Sequence, residues 1–314
     1  MRIFSTLVQL RFSDILPASI SFLRWFHQNE LASKKDLWWR LVFSIRTLVH
    51  FNSCKDWIEY VRVRIYPKAR PICADMFQQP MKPFYCCTFA ASRIARMLVN
   101  THEVAQRVFG SRAYEHLLSG GKITLSHIAG VEGKYRVTLQ LSRLPRRESV
   151  FSLKFESEAI ALTELGFHFD LEDHQMVCLI GNVQPVLIGV NLENIRIASK
   201  DLHHLHPRVF LIQVLRQLCA HSGVGKLEGV ASRRHIWNSW RYRLKNNAGE
   251  LKYDEIWRQF GGEPKSDGNF DLPLVQHERD LSSYPQKKRH LIRKKQKLIA
   301  SVSVILPESF AEPA

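Results

Sequence analysis

Between residues 122 and 180 the apolar spacing of this chain switches from the helical period to the strand period, and afterwards it switches back. Lys122 to Ile128, Tyr135 to Leu141, Val150 to Phe155, Ala161 to Phe169 and Met176 to Ile180 are short runs of alternating or β-branched residues. Successive short runs of this kind predict a largely antiparallel meander. On the N-terminal side, Ser92 to Leu118 reads as helix with an interruption at Gly110, after a connector over residues 67–83 that contains Pro67, Pro71, Pro80 and Pro83. On the C-terminal side, Arg196 to His204 and Arg208 to His221 read as helices, and Val209, Ile212, Leu215, Leu218 and Cys219 share one face of the second. Lys226 to Val230 follows as a buried strand, then a helix near His235 to Trp240 and a polar turn at Asn246 to Gly249. A helix from Tyr253 to Phe260 is stopped by Gly261 and Gly262, and Pro264 to Pro273 is loop or short strand. The fold class is α+β. Three regions are expected: a basic helical region with its connector (1–83), a main α+β domain (84–281), and a basic helix with a tail (282–314).

Charge sets the class of partner. Lys and Arg number 45 against 29 Asp and Glu, a net charge of +16 over 314 residues. Such a field draws phosphate-rich partners by steering and counter-ion release. It is concentrated near both ends. Leu37, Trp38, Leu41, Val42, Ile45, Leu48 and Val49 recur at helical spacing among Lys34, Lys35, Arg40 and Arg46, and Gln286 to Lys297 is a dense basic run. A basic helix with aromatic residues can lie in a membrane interface, although the ordinary fate of an apolar stripe is burial in a core. The placement of the charge favours an anionic lipid or a phosphorylated small molecule over nucleic acid, for which no motif is present.

The six cysteines have no framework spacing, which fits a reducing compartment, and no structural zinc motif occurs. Arg11 and Asp14 interrupt any signal-peptide core, and the longest uncharged apolar stretch, Met176 to Leu192, is shorter than the roughly 20 residues of a spanning helix. The expected location is cytoplasmic, with peripheral attachment to the inner membrane as an extension.

The sequence has no GxSxG elbow and no phosphate-cradling glycine loop. His203, His204 and His206 lack further ligands at metal spacing, so capping or surface roles are expected and no metal is assigned. The run from Val230 to Arg243 places Arg233, Arg234, Arg241 and Arg243 around His235, Asn238 and Tyr242, directly after the buried strand. Arginine forks suit phosphate or carboxylate, and Trp237, Trp240 and Tyr242 offer stacking faces; an arginine-rich surface loop over core tryptophans accounts for the same pattern. The segment Ile180 to Pro185 reads as a strand-exit turn whose amides, near Gln184, could face an anion.

IGNVQP at 180–185, HLHPRVFLIQVLRQLCAHSGV, ASRRHIW, YDEIWRQFGGE at 253–263, DGNFDLP at 267–273 and YPQKKR together resemble the bacterial VirK/YbjX family, in order and spacing across nearly the whole chain. Asn182 and Pro185 stand where that family's turn usually carries glycines. The resemblance implies a bacterial accessory protein of envelope adaptation, antimicrobial-peptide resistance and virulence, with no defined reaction. Two biochemical expectations stand beside it. One is docking on an anionic lipid or precursor through the terminal basic helices. The other is acyl-CoA-dependent acyl transfer, because a meander, a turn, a helix, a strand and a helix follow one another in an acetyltransferase-like order. In that case the arginines and Gln184 would bind the ligand with Tyr253, and His235 or Asp254 would serve as general base.

Overall fold

The computed structural model describes residues 18–26, 37–68, 76–142, 147–158, 160–184, 190–239, 242, 252–275 and 281–302. The fold is α+β around an eight-stranded sheet of order β1-β2-β3-β4-β5-β6-β8-β7. The meander is β1 (Lys122–Ala129), β2 (Lys134–Leu141), β3 (Phe151–Ser157), β4 (Ala161–Glu172) and β5 (Gln175–Gln184), each antiparallel to the next. Strand β6 (Lys226–Gly229) lies parallel to β5, while β7 (Glu263–Pro264) and β8 (Phe270–Leu272) complete the sheet with antiparallel pairing.

Helix α1 spans residues 18–26 and α2 Leu37–Tyr60, continued by a π-helical turn at Val61–Ile65. Helices α3 (Ala91–Phe109) and α4 (Ser111–Leu118) are separated at Gly110, as the spacing predicted. Helices α5 (Leu192–Asp201) and α6 (Pro207–His221) connect the parallel pair; His206 caps α6, its Nδ1 accepting the Arg208 N–H at 3.2 Å. Helix α7 (Tyr253–Gln259) precedes β7, and α8 (Gln286–Ala300) follows β8. Gly261, at φ +75°, ends α7: its N–H bonds Arg258 O at 3.0 Å and that of Gly262 bonds Trp257 O at 2.8 Å, a reciprocal pair that needs a left-handed residue at this position.

Because side chains alternate along a strand, the register divides the sheet into two unlike faces. Phe151, Leu153, Phe155, Leu165, Phe167, Phe169, Cys178, Ile180 and Leu227 form an apolar face, on which Phe109 of α3 meets Phe151 and Phe210 of α6 meets Phe155, with ring centroids 5.3 and 5.7 Å apart. Each such ring contributes about 1.5–3 kcal/mol by leaving water. The opposite face carries Thr138, Gln140, Ser152, Glu164, His168, Asp170, Asn182 and Glu228, all buried. Charged groups are buried only when something holds them there. Asp170 pairs with Arg93 and receives an Asn100 bond of 2.7 Å, and Glu228 pairs with Lys265.

Two expectations need correction. The stripe of Trp38, Leu41, Ile45, Leu48 and Val49 faces outward on α2, whereas Phe43, Thr47, Phe51, Cys54, Trp57 and Ile58 face the core. The helix is apolar on both sides, and the inward side is the one that meets α3 and the phenylalanines of α1. In addition, no α-helix spans residues 235–239. Two 3-10 turns, Ser232–Arg234 and Ile236–Asn238, stand there because side chains take the local backbone groups: His235 Nδ1 accepts the Trp237 N–H at 3.4 Å, and Asn238 Nδ2 donates to Ser232 O at 2.6 Å.

Candidate functional site

Ile180 to Gln184 is strand rather than exit turn, and Gly181 forms a bulge: Phe167 pairs with Ile180 and Gly166 with Asn182, leaving Gly181 without a partner on β4. The residue must be glycine for a steric reason. The chain at 147–149 crosses the polar face so closely that a Cβ at position 181 would overlap the backbone carbonyl of Glu148. Beyond the bulge, pairing between β5 and β6 stops at Ile180 and Gly229, with a last bond from Val230 N to Ile180 O at 3.1 Å. The two strands diverge, and side chains of the chain itself fill the wedge between them.

Glu148 is the centre of this wedge. Trp237 Nε1 donates to its Oε1 at 2.6 Å, Asn182 Nδ2 to its Oε2 at 2.7 Å, and His235 Nε2 lies 3.3 Å from Oε1. Burial alone would raise the pKa of this carboxyl, but the hydrogen bonds from His235, Trp237 and Asn182 outweigh it and hold the group below the ordinary value. His235 is fully buried. Its Nδ1 accepts the Trp237 N–H, so Nε2 carries the proton, which faces Gly181 O at 3.1 Å and the Glu148 carboxylate. Tyr253 stands beside it, ring centroids 5.1 Å apart, stacked on Trp257 at 5.9 Å. Burial and the Glu148 charge push its phenol well above the usual range, while the Val183 N–H bonds its oxygen. Gln184, half-buried at the end of β5, offers its carbonyl to Thr163.

Of the sequence-predicted site residues, His235 and Tyr253 therefore meet beside the end of β5, at Gly181 and Val183, while Gln184 ends the strand with its carbonyl turned to β4. Asp254 sits behind them and clamps the first 3-10 turn: its Oδ1 accepts the Ser232 N–H at 2.7 Å and its own N–H donates to Ser232 Oγ at 3.2 Å. Arg233 and Arg234 do not join this group. Arg234 is held by Asp267 at 3.4 Å, by Cys86 Sγ at 3.3 Å and by Thr88 Oγ1 at 3.4 Å, and Arg233 lies exposed over Gly268. Arg241 and Arg243 lie outside the described residues. Both nitrogens of His235 and the near carboxylate oxygen of Asp254, the two residues expected as general base, are engaged in hydrogen bonds within the fold. Glu148 was missed: a single Glu after an arginine pair has no motif around it, and its only trace in the sequence is the glycine that its backbone requires at position 181.

A family profile described as a protein of unknown function (DUF535) matches residues 32–305. The Escherichia coli K12 protein described as uncharacterized protein YbjX is 19% identical over 269 residues, covering 84% of this chain and 81% of its own length. An uncharacterized protein of Haemophilus influenzae is 26% identical over 170 residues, covering 54% of this chain and 51% of its own length. The chain, whose motifs run through the whole matched span, belongs to the DUF535 family, which is the VirK/YbjX family.

Proposed function

We propose that this chain is an accessory protein of bacterial envelope adaptation, antimicrobial-peptide resistance and virulence that docks on anionic lipid at the cytoplasmic face of the inner membrane. Family membership supports the biological setting. The membrane reading is carried by one observation, the outward stripe of α2: Trp38, Leu41, Ile45, Leu48 and Val49 are 68, 50, 51, 43 and 70% exposed at spacings of one helical face. A contiguous apolar stripe left in water marks an interaction surface, and its place in a strongly basic chain fits an anionic interface. Helix α8 adds a second attraction. It has no acidic residue, and Lys287, His290, Arg293, Lys294 and Lys297 are exposed along it, each lysine or arginine supplying about 1 kcal/mol near an anionic leaflet. No helix among the described residues is long and apolar enough to cross a membrane. The test is flotation with vesicles of phosphatidylglycerol or of phosphatidylcholine over a salt series. Recovery with the anionic vesicles that falls as salt rises is expected; equal, salt-insensitive recovery from both compositions would sink the proposal.

Acyl-CoA-dependent acyl transfer is the second reading. It draws support from the order of the sheet, in which one parallel pair joined through helices follows an antiparallel meander and diverges at a bulge. The filled wedge weighs against it, because the Gly181 carbonyl and the Val183 amide, the backbone groups an extended ligand would pair with, are taken by His235 and Tyr253. Thermal shift with acyl-CoA of several chain lengths tests it: a raised Tm supports the reading, and a flat response across the series removes it.

A further inference from the structure

Helix α6 is a core helix, with Phe210, Leu211, Ile212, Val214, Leu215, Leu218 and Cys219 all buried. Arg216 is buried among them at 2% exposure, and no Lys or other Arg among the described residues is buried. Of the buried carboxylates, Asp170, Glu156 and Glu228 each face a cation. Among the described residues Arg216 faces none: its Nη2 donates to Phe260 O at 2.8 Å, its guanidinium lies 5.5 Å from the Phe260 ring, and Nε and Nη1 have no hydrogen-bond partner. Burial lowers its pKa to about 10, which leaves it charged at neutral pH. A cation out of water without a counter-charge costs several kcal/mol, and one peptide carbonyl offsets only part of that. Several N–H donors therefore remain unanswered in a chain whose net charge already gathers anions.

We propose that Arg216 anchors a small-oxyanion site, taking a phosphate or carboxylate group that enters beneath the Phe260–Gly262 turn and accepts from Nε–H and Nη1–H. Access follows from the cover. Partly buried Phe260 lies on the guanidinium, and the exposed Gly261 that follows ends the helix, so the cover over the donors is a single turn at the surface. Guanidinium is suited to this ligand class because its planar donors match the oxygens of phosphate and carboxylate. The site is independent of the stripe on α2.

The alternative is that Arg216 serves only to hold the Phe260 carbonyl at the end of α7. Thermal shift of the full chain at constant ionic strength separates the two, using inorganic phosphate, acetate and short-chain phosphatidic acid below its micellar concentration. Wild type is expected to show a saturable rise in Tm of about 2–3 °C at roughly ten times the dissociation constant. Arg216→Met, which keeps the volume and removes the charge, is expected to lose the response while melting no lower than anion-free wild type; Arg216→Gln, which retains a donor for Phe260, is expected to lose it as well. A response to phosphatidic acid alone assigns the anion to a lipid headgroup, and a response to inorganic phosphate assigns it to a free ligand. The proposal is overturned by an equal anion response in wild type and both variants, by no response to any of the three probes, or by a Met variant that melts well below wild type while Gln matches it.

Discussion

Replacing Glu148 tests whether the wedge at the end of β5 is held by an ionised carboxylate. Truncation to alanine leaves the Trp237 indole N–H and the Asn182 amide without their acceptor, whereas His235 keeps the Gly181 carbonyl. Two orphaned donors at about 1–3 kcal/mol each, with the lost packing, give a destabilisation of about 4 kcal/mol. Glutamine should behave differently. Its oxygen can face Trp237 and His235, and its amide can face Asn182 once that side chain turns over, since Asn182 Oδ1 has no partner to lose. Only the charge assistance disappears, for a cost of about 1.5 kcal/mol. Urea unfolding at neutral pH measures both values. Because the folded pKa is depressed, the contribution of the ionised carboxylate is present above the unfolded value, about 4.3, and is lost as pH falls through the folded one, so the gap between wild type and Glu148→Gln should narrow in acid. The reasoning is refuted if Glu148→Ala costs under about 1 kcal/mol, or if Gln is as damaging as Ala.

On α2, Leu41 and Ile45 each retain about half of their surface for a bilayer. Leu41→Glu with Ile45→Glu removes about 1 kcal/mol of apolar insertion per site and adds a like-charge penalty of similar size, so vesicle affinity should fall roughly a thousandfold while the unfolding midpoint stays put; unchanged flotation would contradict the insertion of this face. His102 and His168 are fully buried, and burial lowers each pKa to about 3. Their contribution is complete above the unfolded value of about 6.5 and is lost as pH falls toward the folded one, so moving from neutral pH to pH 5 should cost about 2 kcal/mol per imidazole. Urea midpoints that do not change over that interval would show that these rings accept protons in the folded chain.

The meander was legible because one face of each strand had to be apolar, which writes the period of two into the sequence, and the break at Gly110 was legible because it separates two helical patterns. The orientation of α2 was not. It carries one apolar row through Trp38, Leu41, Ile45 and Leu48 and another through Phe43, Thr47, Phe51 and Cys54, and periodicity cannot say which of two such rows meets the core. The arginine run pointed to an anion, yet Arg234 is taken up by Asp267, Cys86 and Thr88, all distant in sequence. Asn182 is the residue that bonds Glu148, and no single-sequence pattern links positions 34 residues apart.

The filled wedge sets the terms on which any strand-like ligand could bind there. Such a ligand would have to evict His235 and Tyr253 from the β5 edge, so the competent conformation is an excited state of the chain rather than its resting one. Were that state populated at about 1%, the apparent affinity would be a hundredfold weaker than the intrinsic one, and an activator that drew the 231–239 segment away would recover it without touching the ligand. In the resting chain the β5 edge beside Gly181 is closed by the protein's own side chains.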